Sequence, residues 1–229
     1  MPVPVLLAGR TTRLEPLAPH HAEALALAGA EDRTTYAFTP VPHGLEAAHS
    51  YINRALSDQA AGRSLPFAVV RAADGVVVGS TRFLELDYWQ GPLVWPAVPG
   101  VPYGDPMTAV PDAAEIGNTW LAPGAQGTGI NTEAKLLMLR HAFETWGVRR
   151  ISLRADARNT RSRAAMERLG FTSEGVRRAH SRGLDGVVRS TAFYSILDEE
   201  WPAVRSIIEL RLAARAPARR RRRKTLVPA

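Results

Sequence analysis

The chain has 229 residues, of which 45% are hydrophobic, and its formal net charge is +7. This length suits one sizeable globular domain better than two small ones. The absence of Cys excludes an acyl-cysteine intermediate and any thiolate metal site. It also fits a cytoplasmic protein, which is the location that we expect.

The positive charge is concentrated at one end of the chain. Eight basic residues follow position 210 with no acid among them, which leaves 21 basic against 22 acidic residues in the rest. The basic run from Arg219 to Lys224 offers no apolar face that could pack. We therefore expect a disordered tail over 213–229 that could make weak contact with a polyanion.

Neither a membrane span nor a metal site is predicted. No segment approaches the roughly 20 apolar residues that cross a bilayer. Residues 1–9 are apolar but short and lack a charged leader, so we interpret them as a first strand and not as a signal peptide. The six His are scattered, with only His20 and His21 adjacent, and no metal-ligand spacing is present.

The first half of the chain predicts helices and strands from hydrophobic spacing and turn signals. In order, we expect a strand with its exit, two helices, and two strands joined at Asp74-Gly75. These elements are predicted over 12–17, 19–30, 45–60, 67–71 and 76–86.

A proline-rich segment over 88–112 separates the two halves. It contains Trp89, Trp95, Tyr103 and six prolines, which is incompatible with a regular helix or a central strand. A loop of this length with aromatic residues is either a substrate lid or a structural flap over a sheet edge.

The second half predicts alternating strands and helices, and so a mixed α/β fold with one βαβ-like crossover. Gly147 and Gly170 are placed to end two of the helices. The strands are predicted over 115–121, 151–155 and 187–197, and the helices over 132–146, from 159 or 160 to 169, and over 201–212.

A glycine-rich turn, APGAQGTGIN, occupies 122–131 between a strand and a helix. Gly127 and Gly129 allow a tight turn and close approach of a ligand. The first N–H groups of the helix lack internal partners and, with the helix dipole, form an anion site that suits a diphosphate.

Several kinds of turn are candidates for this position. A Walker A loop is excluded, because Ile130 and Asn131 stand where that loop needs Lys and Ser or Thr. A Rossmann turn lacks its third glycine at Thr132, although Asp156 after the next strand keeps that interpretation open. A strand-to-helix turn that binds nothing also remains open.

The residues around the turn resemble the RimJ/RimL-type N-acetyltransferases of the GNAT superfamily over about residues 10 to 205. The similarity is carried by EIGNTWL at 115–121, Pro123, QGTGIN at 126–131, Glu133-Ala134, Asn159, Ser162, LGF at 169–171 and Glu174-Gly175. The resemblance implies a single domain over 1–212 with an α/β (α+β mixed) fold. Its central, mostly antiparallel twisted sheet would be flanked by helices, with the family's fourth and fifth strands splayed apart.

The resemblance also implies acetyl-CoA as the cosubstrate and assigns residues to it. The backbone of the turn would hold the CoA pyrophosphate, and Trp120 and Leu121 would pair with the pantetheine arm. An N–H of that strand would polarise the thioester carbonyl. The turn residues are Gln126, Gly127, Thr128, Gly129, Ile130 and Asn131.

Two further residues are assigned by the resemblance, each with an ordinary alternative. Asn159 would bond the pantetheine arm, cap a helix, or do both. Ser162 would protonate the leaving thiolate or is simply exposed in the first turn. Met166 stands where many members of the family carry a tyrosine that acts as general acid, which shifts that role to Ser162 or water.

Glu115 is the candidate general base, acting through water, because direct transfer needs a neutral amine. The alternative is a strand carboxylate held in a salt bridge. Tyr194 either lines a substrate cleft or belongs to the core.

The expected activity is acetyl transfer in a ternary complex to an amine of a protein N-terminus or small molecule. A second copy of the chain is a further candidate partner. The alternatives are a non-catalytic CoA-binding protein, a nucleic-acid or acidic-partner binding protein using the tail, and a nucleotide-binding oxidoreductase.

Overall fold

The structure is a computed structural model and describes residues 2–89 and 110–215. Most of the proline-rich segment expected over 88–112, and all but the first residues of the tail expected over 213–229, lie outside the described residues. Within those two ranges, no helix has both the length and the apolar composition needed to cross a bilayer.

Eight strands form one mixed sheet in the order β1-β2-β3-β4-β5-β6-β8-β7. Neighbouring strands are antiparallel except β5 and β6, which are parallel. The strands are β1 (Leu7–Ala8), β2 (Thr12–Pro16), β3 (Ser64–Arg71), β4 (Val77–Asp87), β5 (Ala113–Leu121), β6 (Arg150–Asp156), β7 (Thr172–Arg182) and β8 (Val188–Leu197).

Five α-helices accompany the sheet in the described part of the chain. A 3-10 turn precedes α1, and a turn of π-helix, His141–Trp146, continues α3 until Gly147 ends it with φ 70°. The helices are α1 (Ala22–Ala30), α2 (Leu45–Ala60), α3 (Ile130–Arg140), α4 (Thr160–Arg168) and α5 (Trp201–Ala214).

The helices cover both faces of the sheet and enclose two apolar cores. Side chains alternate along a strand, so Phe67 of β3 packs in the core that includes α3 and α5, whereas Ala68 packs in the core of α1 and α2. Trp120 of β5 joins the second core, and Ile116 joins the first. The two faces of β5 therefore belong to different helical layers.

The parallel strands β5 and β6 separate soon after they pair. Their register is Ala113 with Arg150, Ala114 with Ile151 and Glu115 with Ser152, and their pairing ends there. Beyond Glu115, β5 remains paired only with β4. This confirms the expected splay, since β5 and β6 correspond to the family's fourth and fifth strands after the two-residue β1. A doubly wound parallel sheet, which the oxidoreductase alternative requires, is not what the chain forms.

A bulge interrupts β5 in the stretch that no longer pairs with β6. Asn118 has φ 47°, and the register with β4 shifts between Ser80 and Arg82. The bulge re-aims the side chains that follow it.

Several expectations from the sequence differ from the structure, and β3 begins at Ser64 and not at Phe67. The strand expected over 1–9 is limited to Leu7–Ala8. The helix expected from 132 begins at Ile130. Strand β7 was not predicted, because nearly all of its residues are exposed and it has no apolar alternation.

Candidate active site

A cleft of about 1270 Å³ opens where β5 and β6 part. Its walls come from β4, β5, β6, α3 and α4, and from the end of α5. The structure brings together in it most residues that the sequence singled out: Glu115, Trp120, Leu121, Gln126, Gly127, Gly129, Asn131, Asn159 and Ser162. Thr128 and Ile130 belong to the turn, but Ile130 is buried in the core and Thr128 Oγ1 donates to Ala125 O at 2.7 Å.

The glycine-rich turn has the backbone geometry of an anion site. Gly127 and Gly129 have φ 74° and 102°, a region that glycine adopts without strain. Among the described residues, the N–H groups of Gly127, Thr128, Gly129 and Asn131 have no hydrogen-bond acceptor. Arg215 Nη1 donates to Gly127 O at 2.6 Å, so a guanidinium adds positive charge at the same place.

Gln126 joins the turn to its surroundings through its side chain. Its Nε2 donates to Leu121 O at 2.9 Å and to Thr35 Oγ1 at 3.2 Å, and its Oε1 accepts from Arg161 Nη1 at 2.8 Å. Its own N–H donates to Pro123 O. Gln126 therefore fixes the position of the turn against β5 and α4.

The edge of β5 that faces β6 is open beyond Glu115. Ala122 N–H donates to Val78 O at 2.7 Å on the β4 side, so backbone alternation directs the Leu121 N–H into the gap. The Leu121 carbonyl on that edge accepts from Gln126 and from Tyr36 Oη, the latter at 3.2 Å. Trp120 packs edge-on against Tyr36 with ring centroids 6.3 Å apart.

Glu115 lies at the last paired position before the strands part. Its residue is 6% exposed, and its Oε1 is 3.1 Å from Arg154 Nε on β6. Burial raises the pKa of Glu115 to about 7, while Arg154 opposes that shift and Glu85 adds to it. The ion pair fits the salt-bridge alternative, and the raised pKa of Glu115 is one that a general base could use. Its role as a base stays a prediction.

Helix α4 carries three of the expected positions. Asn159 Oδ1 accepts from Ser162 N at 3.0 Å and so caps the helix. Asn159, Ser162 and Met166 also line the cleft. Tyr194 is buried away from the cleft, where its hydroxyl donates to Glu167 Oε1 at 2.9 Å and accepts from Arg163 Nε at 3.1 Å, so the core alternative applies to it.

A family model described as "Acetyltransferase (GNAT) domain" matches residues 12–172. The chain belongs to the GNAT family. It is 38% identical over 88 residues to YdaF of Bacillus subtilis (strain 168), provisionally named a ribosomal N-acetyltransferase. That match covers 38% of this chain and 47% of YdaF, so the chain matches about half of that relative's length.

Solved structures share the GNAT architecture over nearly the whole chain. A GCN5-related N-acetyltransferase from Brucella melitensis is 27% identical with a TM-score of 0.76, and the match covers 94% of this chain and 87% of that one. RimJ of Mycobacterium smegmatis, in complex with CoA-disulfide, is 26% identical with a TM-score of 0.69 over 92% of each chain.

Among the charged residues that line the cleft, the sequence analysis missed Lys135, Arg154 and Arg215. Arg154 could not be identified, because only the fold places it beside Glu115. Lys135 is buried on α3, and burial lowers its pKa to about 7. One signal was available for Lys135, since the chain has only one other lysine, Lys224.

No metal-binding cluster of three His, Cys, Asp or Glu occurs within the described part of this GNAT domain. Asp156, the residue that kept the dinucleotide interpretation open, is buried and accepts from the Arg158 guanidinium. Its carboxylate is thus occupied by a structural ion pair.

Proposed function

We propose that this chain is an acetyl-CoA-dependent N-acetyltransferase that passes acetyl directly to a primary amine within a ternary complex. One observation carries the proposal: the gap between β5 and β6 joins the free N–H groups of the glycine-rich turn to Glu115 in one cleft. An anion site for the cofactor and a base for the amine therefore share a single opening.

The residues of the cleft suit CoA in three places. The free N–H groups of the turn and Arg215 would hold the diphosphate. The open edge of β5 at Leu121 would pair with the amides of the pantetheine arm, and Asn159 would add a side-chain contact. Acetyl-CoA supplies the activated acetyl group. That the related RimJ structure contains CoA-disulfide supports this assignment.

Glu115 is placed to remove the proton that blocks nucleophilic attack. An α-amine has an ordinary pKa of about 7.7–8.0, and Glu115 titrates at about 7, so proton transfer through one water is nearly balanced. The amine nitrogen then attacks the thioester carbon, a C–N bond forms, the nitrogen releases its second proton to water, and the C–S bond breaks. Ser162 donates a proton to the leaving thiolate and is reprotonated from solvent, since Met166 has no proton to give.

The acceptor is the primary amine of a protein N-terminus or of a small molecule. The provisional name of YdaF, which calls it a ribosomal N-acetyltransferase, favours ribosomal-protein N-termini as the first acceptors to test. A cytoplasmic location, a second copy of the chain and polyanion contact through the tail remain expectations from the sequence.

The test is an acetyl-CoA assay over a panel of amines, with the released thiol as the readout. The panel should contain peptides with the N-terminal sequences of ribosomal proteins, the same peptides with blocked N-termini, aminoglycosides and small metabolite amines. We expect turnover with free amines and none with the blocked peptides. CoA binding without turnover of any amine would leave only a non-catalytic CoA-binding protein.

A further inference from the structure

Lysine is nearly absent from this chain, and one lysine is buried in the cleft. Of the 29 Lys and Arg residues only two are lysine, Lys135 and Lys224. Lys135 is therefore the one lysine among the described residues. Arginine keeps its charge at any ordinary pH, whereas a buried lysine can lose its proton. An arginine could not replace Lys135 in the cleft, because an arginine would not lose its charge there.

Lys135 has polar contacts on two strands but no ion pair. It is 3% exposed, and its Nζ lies 2.8 Å from Thr119 Oγ1 on β5 and 3.3 Å from Thr81 Oγ1 on β4. The two threonine hydroxyls are 2.8 Å apart. An ammonium has three protons to donate, so these contacts leave one proton for another acceptor.

The charged side chains nearest to Lys135 in sequence and on β4 contact other groups. Glu133 of α3 accepts from the N–H groups of Arg10 and Thr11 on the far side of the helix. Arg82 follows Thr81 on β4 but packs over the Tyr51 ring of α2, 5.1 Å from its centroid. Burial is accordingly the cause that lowers the pKa of Lys135.

Asn131 stands one helical turn before Lys135, on the same face of α3. Its Oδ1 is buried and has no hydrogen-bond partner, which is costly for a polar atom unless a ligand satisfies it. Both residues line the cleft. Together they form a polar stripe beneath the open edge of β5, next to the anion site at the start of the helix.

We propose that Asn131 and Lys135 form a side-chain subsite on α3 for the pantetheine arm of CoA. Asn131 Oδ1 accepts from an amide N–H of the arm, and Lys135 Nζ donates its remaining proton to an arm oxygen. The inference rests on the proposed binding of CoA and adds to it a contact from the helix face, distinct from the backbone contacts of the turn and of β5.

The subsite links cofactor binding to the charge of Lys135. Because Lys135 is already out of water, the cofactor can add little further desolvation. The arm oxygen and the nearby diphosphate both favour the charged form, so bound CoA raises the pKa of Lys135. The protein should therefore take up a proton at Lys135 when CoA binds above pH about 7.

Selective labelling tests this directly in the full chain. With ¹³C at the lysine ε-carbon, the spectrum contains two lysine signals, and Lys224 provides an internal reference. Lys135→Met and Lys224→Arg assign the two signals. We expect one signal to titrate near pH 7 and to shift to a higher midpoint with CoA. Adenosine 3′-phosphate 5′-diphosphate, which keeps the diphosphate but lacks the arm, should produce a smaller shift.

Calorimetry supplies the second measurement of the test. We expect Lys135→Met to weaken CoA binding about tenfold and to weaken binding of adenosine 3′-phosphate 5′-diphosphate by clearly less, and Asn131→Leu to act in the same direction. Equal loss for both ligands, or CoA binding that leaves the Lys135 signal unmoved, would overturn the subsite. If the unsubstituted protein fails to bind CoA at all, the proposed function fails instead.

A variant that misfolds is recognised by its pH-dependent stability. Since the folded pKa of Lys135 lies below its unfolded value, the unsubstituted protein should gain stability as pH rises from about 7 towards the unfolded value. A folded Lys135→Met variant should be as stable or more stable and should lack that rise. Thr119→Val, which removes only the hydroxyl contact, serves as the milder variant.

Discussion

Glu115 Oε1 lies 3.1 Å from Arg154 Nε, across the last paired position of two strands that then separate. The ion pair spans the point at which the cleft begins. A carboxylate that is buried and paired in this way can titrate near neutrality and still remain accessible to the space that the parting strands create.

Replacing Glu115 by Gln should lower kcat by about 10²-fold or more, because a positioned base contributes roughly 10²–10⁴. Glu115 acts in its ionised form, so the rate of the unsubstituted enzyme should fall as pH drops through about 7. The variant should lose that limb of the pH profile. Glu174→Gln, which removes an ion pair on β7 with Arg150, is the matched control. An unchanged profile in Glu115→Gln would make the residue structural.

Arg154→Met should move the acidic limb of kcat/KM to higher pH. Arg154 lowers the pKa of Glu115, and Glu85 raises it. Removing the Arg154 cation should therefore raise the pKa of Glu115. Glu85→Gln should move the limb in the opposite direction. Arg150→Met, on the same strand but paired with Glu174, should move it in neither. Shifts of the same sign for Arg154→Met and Glu85→Gln would contradict this electrostatic account.

Gly129→Ala should weaken CoA binding at least tenfold by calorimetry. Among the described residues other than its chain neighbours, only Arg215 Cδ lies within 4 Å of the position that a Cβ would take, so we expect the added methyl to meet the bound phosphate and not the fold. Gly147→Ala controls for backbone strain, since Gly147 also has positive φ and open surroundings. Both variants should lose about 1–2 kcal/mol of stability, the cost of the left-handed region for a residue with a Cβ, and only the first should lose affinity. Equal CoA affinities of the two variants would show that the diphosphate does not bind at the turn.

Variants of Ser162 and Asn159 should distinguish an effect on kcat from an effect on CoA affinity. Ser162→Ala should lower kcat without a matching loss of CoA affinity, because its hydroxyl acts on the leaving thiolate. Asn159→Asp preserves the helix cap but removes the amide donor, so any loss of CoA affinity reports a contact with the arm. Ser162→Ala that loses only affinity would make Ser162 a binding residue.

Arg215→Met should weaken CoA binding about two- to fivefold at low salt, the range of an exposed charge contact. Its guanidinium donates to Gly127 O, at the anion site. A chain shortened to residue 215 keeps this contact and should bind CoA as the full chain does, with unchanged turnover of a small amine. Equal loss in the shortened chain and in Arg215→Met would show that the tail takes part in cofactor binding.

The sequence predicted those parts of the structure that depend on local patterns. Strong apolar spacing placed α2 at its observed bounds, and the turn was identifiable because Gly127 and Gly129 determine its backbone. Strand β7 gave no pattern, because it lies at the sheet edge with both faces exposed. An edge strand needs no buried side of its own, so periodicity cannot reveal it.

The site was predictable in its backbone and less so in its side chains. Residues near the turn in sequence were recognised, whereas Arg154 and Arg215 reach the cleft only through tertiary structure. Gln126 was grouped with the diphosphate contacts, and the structure adds a scaffolding role between β5 and α4. Which way a polar side chain turns depends on neighbours that the linear sequence does not specify.

The scarcity of lysine has a consequence for a protein that is proposed to acylate amines. Every cation of the described surface is a guanidinium or an imidazole, and a guanidinium stays protonated and is not an amine nucleophile. Lys135 is 3% exposed and donates to two threonine hydroxyls, so Lys224 and the α-amine are the other amines of the chain. After incubation with acetyl-CoA, intact-mass spectra should therefore show at most two added acetyl groups, one at Lys224 and one at the α-amine.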